Sequence, residues 1–138
     1  LNFIFGWLIL IALVGVETFE GIGCSPAALT ELDKIDLDYL TLFTLLLYVS
    51  ILTPIVEEVV FRGFVLDVAS EKYGDWFAIF ISALLFALVH LEAISVINAF
   101  IGGLIYGYVR IRTGSLWPSI ILHFLWNTHL YLIMIMCI

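Results

Sequence analysis

Charged residues are scarce in this chain of 138 residues, and positive charge is the scarcest. Charged residues make up 12% of the chain, with five Lys and Arg in total and a formal net charge of −7. Binding to nucleic acid depends on clustered Lys and Arg side chains that contact phosphates, so this composition argues against a nucleic-acid partner. The two cysteines, Cys24 and Cys137, do not have the close spacing that is typical of a metal or redox site.

Apolar residues fill most of the remaining positions. They make up 64% of the chain, and its mean hydropathy is +1.19, whereas soluble domains are about 45–50% apolar. The composition therefore predicts an integral membrane protein, in contact with the lipid bilayer along its length. We expect an all-α fold, a polytopic transmembrane helix bundle.

The hydrophobic pattern divides the chain into two regions. Residues 1–38 are expected to contain a partial transmembrane helix, over residues 1–16, and an acidic extramembrane loop. Because the sequence begins at Leu1 inside an apolar run, we expect a fragment of a longer protein. Residues 39–138 are expected to form a core of four helices.

Breaks in the apolar pattern define the four core helices. Pro54 lies within the first helix, where it removes a backbone hydrogen bond and favours a kink. Gly103 and Gly107 are one turn apart, a spacing that lets two helices approach closely. Arg110, Arg112 and Gly114 are expected to form the loop after the third helix. The predicted helices cover residues 39–73, 76–91, 94–109 and 116–136.

Two adjacent glutamates, Glu57 and Glu58, lie inside the apolar part of the first helix. A charged residue at the centre of a membrane helix costs about 2.5–3.5 kcal/mol on insertion scales, so it indicates a functional site. Glu58 and Arg62 are four residues apart in the favourable order, which predicts a structural ion pair. Glu57 points about 100° away around the helix and is the better candidate for chemistry.

Helix geometry predicts that four polar residues converge in one layer. Glu57 lies 17 residues before Gly74 and His90 lies 16 after it, so an antiparallel hairpin places both about 25 Å from the turn. His123 and Asn127 are four residues apart and share a helix face. Each of these side chains could instead be a structural hydrogen-bonding partner between helices. His129, on another face, is expected to be structural or interfacial.

These residue types permit hydrolysis. A glutamate in apolar surroundings can serve as a general base, and His or Asn donors can stabilise an oxyanion. An alternative is a zinc ion held by Glu57, His90 and His123 with one open position. The sequence contains neither a His-Glu-x-x-His nor a Gly-x-Ser-x-Gly motif, which argues against a zincin helix and a serine nucleophile elbow.

Three short motifs resemble those of the CAAX protease and bacteriocin-processing family, also called the Abi family. Residues 57–62 (EEVVFR) are similar to its Glu-Glu-x-x-x-Arg motif. Residues 86–90 (FALVH) match its Phe-x-x-x-His motif, and residues 123–127 (HFLWN) match its His-x-x-x-Asn motif. Each motif is weak alone, but three in order on successive apolar helices make a specific resemblance.

The resemblance implies an all-helical intramembrane endopeptidase. In that family the first Glu and first His activate a water, and the last His and Asn stabilise the oxyanion, while Arg62 and Phe86 would support the site. Both a zinc metalloprotease and a metal-free glutamate mechanism are argued for the family, and both stay open here. The implied catalytic residues are Glu57, Glu58, His90, His123 and Asn127.

The resemblance also sets the expected partners. The substrate would be a membrane-associated peptide or a lipidated protein, and the location a prokaryotic cell membrane with multiple crossings. Two hypotheses from other classes remain. One is a non-catalytic immunity or peptide-binding protein that retains the motifs. The other is a protein that handles protons or ions, because Glu and His chains also serve as relays.

Overall fold

The computed structural model describes residues 38–90 and 93–136. The partial transmembrane helix and acidic loop predicted within residues 1–38 lie outside this part, apart from Asp38. Leu91 and both cysteines also lie outside it, and the prediction that the second helix runs to Leu91 is wrong, because that helix ends at Leu88. The described part contains four helices and no strand, which confirms the all-α prediction.

The first helix, α1, runs from Tyr39–Tyr73 without a break in its helical course. Asp38 caps its start, where the side-chain carboxylate accepts a 2.7 Å hydrogen bond from the Thr41 backbone N–H. Gly74 ends it with a φ of 85°, a left-handed conformation that glycine adopts without steric cost. The boundaries predicted for this helix are confirmed.

Two π-helical stretches lie within α1, at Tyr48–Leu52 and Val59–Val65. In each, the register shifts so that a backbone N–H bonds the carbonyl five residues earlier, as from Thr53 to Tyr48. The first stretch lies immediately before the turn that contains Pro54. The disturbance predicted at this proline therefore takes the form of a change in hydrogen-bond register.

The other three helices are α2 (Asp75–Leu88), α3 (Ala93–Thr113) and α4 (Trp117–Met136). The prediction that Arg110 and Arg112 belong to a loop is wrong, because α3 continues through both. Arg110 forms a 2.7 Å ion pair with Asp67 of α1, and the Arg112 guanidinium lies 5.9 Å from the Tyr108 ring. These contacts hold the last turn of α3 in place.

Within the described residues, one helix, α1, is long and apolar enough to cross a membrane, while α2 is apolar but shorter. Repeated membrane crossing stays a prediction. Large apolar side chains are exposed on several helices, among them Phe64, Trp76 and Leu88. Such a surface suits contact with lipid.

Small residues bring α1, α2 and α3 together. Leu66, Ala78 and Ile79 form a buried cluster. A Cβ atom at Gly107 would lie 3.2 Å from Leu66 Cδ1, and one at Gly103 would lie 2.9 Å from the α-carbon of Ala83. The prediction that these two glycines allow close helix packing is confirmed, and this packing places α3 against the site described next.

Candidate active site

The two glutamates lie on one α-helical turn of α1, Thr53–Glu58, which has a π-helical stretch on each side. Adjacent residues on a helix point about 100° apart. The Glu58 side chain is accordingly fully buried, at 0% exposure, whereas that of Glu57 is 23% exposed. One carboxylate is therefore available for internal pairing and the other for contact with a ligand.

Glu58 pairs with Arg62 inside the protein. Arg62 Nη1 lies 2.9 Å from Glu58 Oε1, and both side chains are 0% exposed. The guanidinium carbon lies 4.4 Å from the centroid of the Phe86 ring and 5.3 Å from that of Tyr106. A buried charge is tolerated only when it is compensated. Here the carboxylate and the two aromatic faces supply that compensation.

His123 of α4 bridges the two glutamates. Its Nδ1 lies 3.0 Å from Glu58 Oε1, and its Nε2 lies 3.5 Å from Glu57 Oε2. Because an ionised carboxylate can only accept, Nδ1 is the donor in the contact with Glu58. Nε2 is then a proton acceptor in the neutral ring and a donor in the imidazolium. The ring also stacks on Tyr106 and meets the edge of Phe86.

His90 is held by the C-terminal end of α2. Its Nδ1 lies 2.9 Å from the backbone carbonyl of Phe86, and the two rings meet edge to face with centroids 5.0 Å apart. A carbonyl oxygen only accepts, so Nδ1 carries the hydrogen and the neutral ring keeps its lone pair on Nε2.

Asn127 binds the backbone of α1. Its Nδ2 donates a 3.0 Å hydrogen bond to the carbonyl of Val49. In the π-helical register that Thr53 sets with Tyr48, the next N–H in line for Val49 would be that of Pro54. Proline has no N–H, so this carbonyl is left open to a side-chain donor. The amide of Asn127 fills the position.

The part of the chain that contains these residues matches the sequence model of a known protein family. The model of the type II CAAX prenyl endopeptidase Rce1-like family matches residues 39–129, two thirds of the chain and all of the site. The chain belongs to this family. The resemblance predicted from the three motifs is therefore confirmed.

Two curated proteins are similar to this Rce1-like chain. One, named "Putative membrane peptidase YdiL", from Bacillus subtilis, is 32% identical over 79 residues, which cover 57% of this chain and 32% of the relative. The other, named "Uncharacterized 24.3 kDa protein", from Escherichia coli, is 36% identical over 83 residues, which cover 56% and 38%. The chain thus spans about a third of the length of these relatives. No solved structure matches it.

The structure brings several of the predicted Rce1-like site residues together. Glu57 was predicted at the same depth as His90, and the ring that the structure places in contact with Glu57 is that of His123. Phe86 touches the rings of both histidines and so links them. Asn127 follows His123 by one turn, and the bond it makes is to Val49.

The structure also gives the positions of His129, which was expected to be structural or interfacial, and of Tyr106. His129 lies beside Trp126, with ring centroids 6.5 Å apart, on a different face of α4 from His123. Tyr106 was missed, although it contacts both His123 and Arg62. The available signal was its position three residues after Gly103, on the helix face that packs into the bundle.

The contacts of the predicted zinc ligands do not decide whether this site binds a zinc ion. Glu57 and His123 contact each other directly, and Nδ1 of His123 is engaged by Glu58. Among residues 38–90 and 93–136, no three His, Cys, Asp or Glu side chains are grouped so that they could hold a metal ion. Zinc at this Rce1-like site stays a prediction, and no chemical step below depends on it.

Proposed function

We propose that this chain contains the catalytic site of an intramembrane endopeptidase that cleaves a peptide bond with a water activated by Glu57. The observation that carries the proposal is the contact of His123 with both glutamates, one buried and one partly exposed. It is supported by membership of a family described as a CAAX prenyl endopeptidase. Hydrolysis needs a base and an oxyanion donor in one place, and these residues supply both.

Glu57 and His90 would hold the attacking water. Glu57 is the carboxylate with an exposed fraction, and His90 presents the lone pair of Nε2 because Nδ1 donates to the Phe86 carbonyl. The water oxygen forms a bond to the scissile carbonyl carbon, and its proton passes to Glu57. When the C–N bond breaks, Glu57 returns that proton to the leaving amine, so protons balance over the reaction.

His123 and Asn127 would stabilise the oxyanion. Asn127 uses one amide hydrogen for Val49 and has a second one available. His123 donates from Nε2 only as an imidazolium, because Nδ1 already donates to Glu58. Glu58 and Arg62 act through His123, since the ion pair between them fixes the carboxylate that orients the ring.

The proposed substrate is a membrane-associated peptide or a lipidated protein tail. Val56 and Val60, which flank Glu57 along α1, are 53% and 44% exposed. A substrate that reaches Glu57 along this face meets an apolar surface, which suits an approach from within a lipid bilayer. A multi-pass location in a prokaryotic cell membrane is part of the same proposal.

The test uses the purified protein in lipid vesicles and a fluorogenic peptide in which a farnesylated cysteine is followed by three C-terminal residues. Cleavage of this peptide is measured. Glu57→Gln is expected to lower kcat by about 10²–10⁴-fold, the usual contribution of a general base. Glu71→Gln, an exposed glutamate in the last turns of the same helix, is the matched control and should leave kcat unchanged.

The same experiment separates the alternatives. If Glu57→Gln cleaves as fast as the unmodified protein, the glutamate-water mechanism is wrong. If no cleavage occurs but the peptide binds equally well to both proteins, a non-catalytic peptide-binding or immunity protein is the better hypothesis. Metal content of the active protein tests zinc: activity without bound metal would exclude the zinc version, and loss of activity with a chelator would support it.

A further inference from the structure

Tyr106 is a buried aromatic residue that the proposed mechanism does not use. It is 6% exposed and lies on α3, opposite the glutamates of α1. Its ring is nearly parallel to that of His123, with an interplanar angle of 19° and centroids 4.9 Å apart. Aromatic rings prefer offset stacking of this kind, so the contact favours one plane for the histidine ring.

Three contacts together define the orientation of His123. Tyr106 covers one face of the ring, and Phe86 meets the ring edge to face with centroids 5.5 Å apart and an angle of 85°. Glu58 engages Nδ1 at 3.0 Å. The edge that carries Nε2 is then directed at Glu57. A rotation about the Cβ–Cγ bond would move Nε2 away and lose the stacking contact.

Tyr106 also connects His123 to Arg62. The guanidinium carbon of Arg62 lies 5.3 Å from the Tyr106 centroid, and Glu58 contacts both Arg62 and His123 through the same oxygen, Oε1. The tyrosine ring thus borders the two groups that bind this oxygen. A change in its position would affect the cation and the histidine together.

The Tyr106 ring lies beside Gly102. A Cβ atom there would lie 3.4 Å from Cε2 and from the hydroxyl of Tyr106, one turn further along the same helix. The ring therefore lies back along α3 against Gly102, with its face turned to the bundle. Gly103 admits α2, and Gly102 lies beside the tyrosine ring.

We infer that Tyr106 is a positioning residue for His123: its ring fixes the plane in which Nε2 faces Glu57. The inference rests on the proposed function, because it assigns Tyr106 a part in the same site. The aromatic ring carries the effect, while the hydroxyl does not. A residue of similar size without a planar face should fill the space and still leave His123 free to rotate.

The kinetic test compares Tyr106→Phe and Tyr106→Leu. The phenylalanine variant keeps the stacking face and should retain kcat within about twofold. The leucine variant should lower kcat by about 10–100-fold with KM within about twofold, since displacement of a catalytic group by about 1 Å costs up to about 10²-fold. Tyr108→Leu on the same helix, where the ring stacks on Trp76 instead, is the matched control and should leave kcat unchanged.

A second measurement works in the unmodified protein and needs no activity. The ring protons of His123, assigned by the loss of their NMR signals in His123→Gln, should be shifted upfield because they lie over the Tyr106 face. The shift should persist in Tyr106→Phe and disappear in Tyr106→Leu. An unshifted His123 signal in the unmodified protein would overturn the inference, even if the leucine variant fails to fold.

The outcomes separate this inference from the proposed function. If Glu57→Gln abolishes cleavage but folded Tyr106→Leu keeps the original kcat, the function stands and the positioning role is wrong. If Tyr108→Leu loses as much kcat as Tyr106→Leu, the effect is general packing, and the positioning role is again wrong. If cleavage does not depend on Glu57, the proposed function fails, while the ring-proton shift still decides whether Tyr106 holds His123.

Discussion

Replacement of Gly103 by alanine should separate α3 from α2. A Cβ atom at this position would lie 2.9 Å from both the α-carbon and the methyl group of Ala83, and 3.2 Å from Nη2 of Arg62. Carbon atoms in favourable contact are about 3.5–4.0 Å apart. Part of the obstacle is backbone, so it cannot be relieved by a change of rotamer. The two helices must move apart by about half an ångström or more.

The size of the effect follows from two opposing contributions. Overpacking by one methyl group in a well-packed interior costs about 1–3 kcal/mol. Replacing glycine by alanine inside a helix stabilises it by up to about 1 kcal/mol. Gly102→Ala measures this stabilisation without a clash, because a Cβ atom there would meet only Tyr106 side-chain atoms at 3.4 Å or more, an ordinary contact. The difference between Gly103→Ala and Gly102→Ala therefore isolates the steric cost, about 1–3 kcal/mol.

The assay is reversible unfolding in mixed micelles, followed by circular dichroism at increasing denaturant, for both alanine variants and the unmodified protein. Gly103→Ala should have the lower free energy of unfolding of the two. Adding Ala83→Gly to Gly103→Ala should recover part of the loss, since it removes the clash with the Ala83 methyl group and leaves the clash with the backbone. Equal stability of the two single variants, or a larger loss at Gly102, would refute the packing argument.

Two further predictions concern buried polar contacts. Arg62→Met should destabilise the protein by about 3–5 kcal/mol, because it leaves Glu58 as an uncompensated buried charge. The double variant with Glu58→Leu should lose less stability than the sum of the losses in the two single variants. Strictly additive losses in the unfolding assay would contradict an energetic coupling between Arg62 and Glu58. Asn127→Leu should cost about 1–3 kcal/mol by leaving the Val49 carbonyl unpaired. In a Pro54→Ala background, which supplies a new N–H near that carbonyl, the same change should cost less, and an equal cost in both backgrounds would contradict the argument.

Local sequence signals predicted the course of the helices well. The apolar run and the turn at Gly74 located the boundaries of α1. Glycine adopts a φ of 85° without steric cost, so this local signal is enough to end a helix. The end of α3 was predicted too early, since Arg110 and Arg112 were interpreted as loop residues. Arg110 pairs with Asp67, which is 43 residues away in the sequence and so gives no local signal, whereas Arg112 lies against Tyr108 one turn earlier.

The catalytic roles of the site residues stay a prediction, and the sequence predicted their contacts only in part. The predicted depth of Glu57 assumed a uniform rise per residue up to Gly74, but the π-helical stretch Val59–Val65 lies between them and changes the angle and height of the Glu57 side chain. The structure places the His123 ring in contact with Glu57. Tyr106 was missed because its spacing from Gly103 placed it on the packing face of the helix but did not show that it contacts His123 and Arg62.

The π-helical stretch Val59–Val65 determines how this segment of α1 responds to the loss of a residue. A π-helical turn holds about one residue more than an α-helical turn, so it rotates every later side chain by about 100°. Leu66 and Asp67 follow the stretch and face α3 at Gly107 and Arg110. Deletion of a single residue between Gly63 and Leu66 would preserve all three motifs, and a return from the π-helical to an α-helical turn would keep Leu66 and Asp67 facing α3. This segment should therefore accept a one-residue deletion more readily than the neighbouring α-helical turns do.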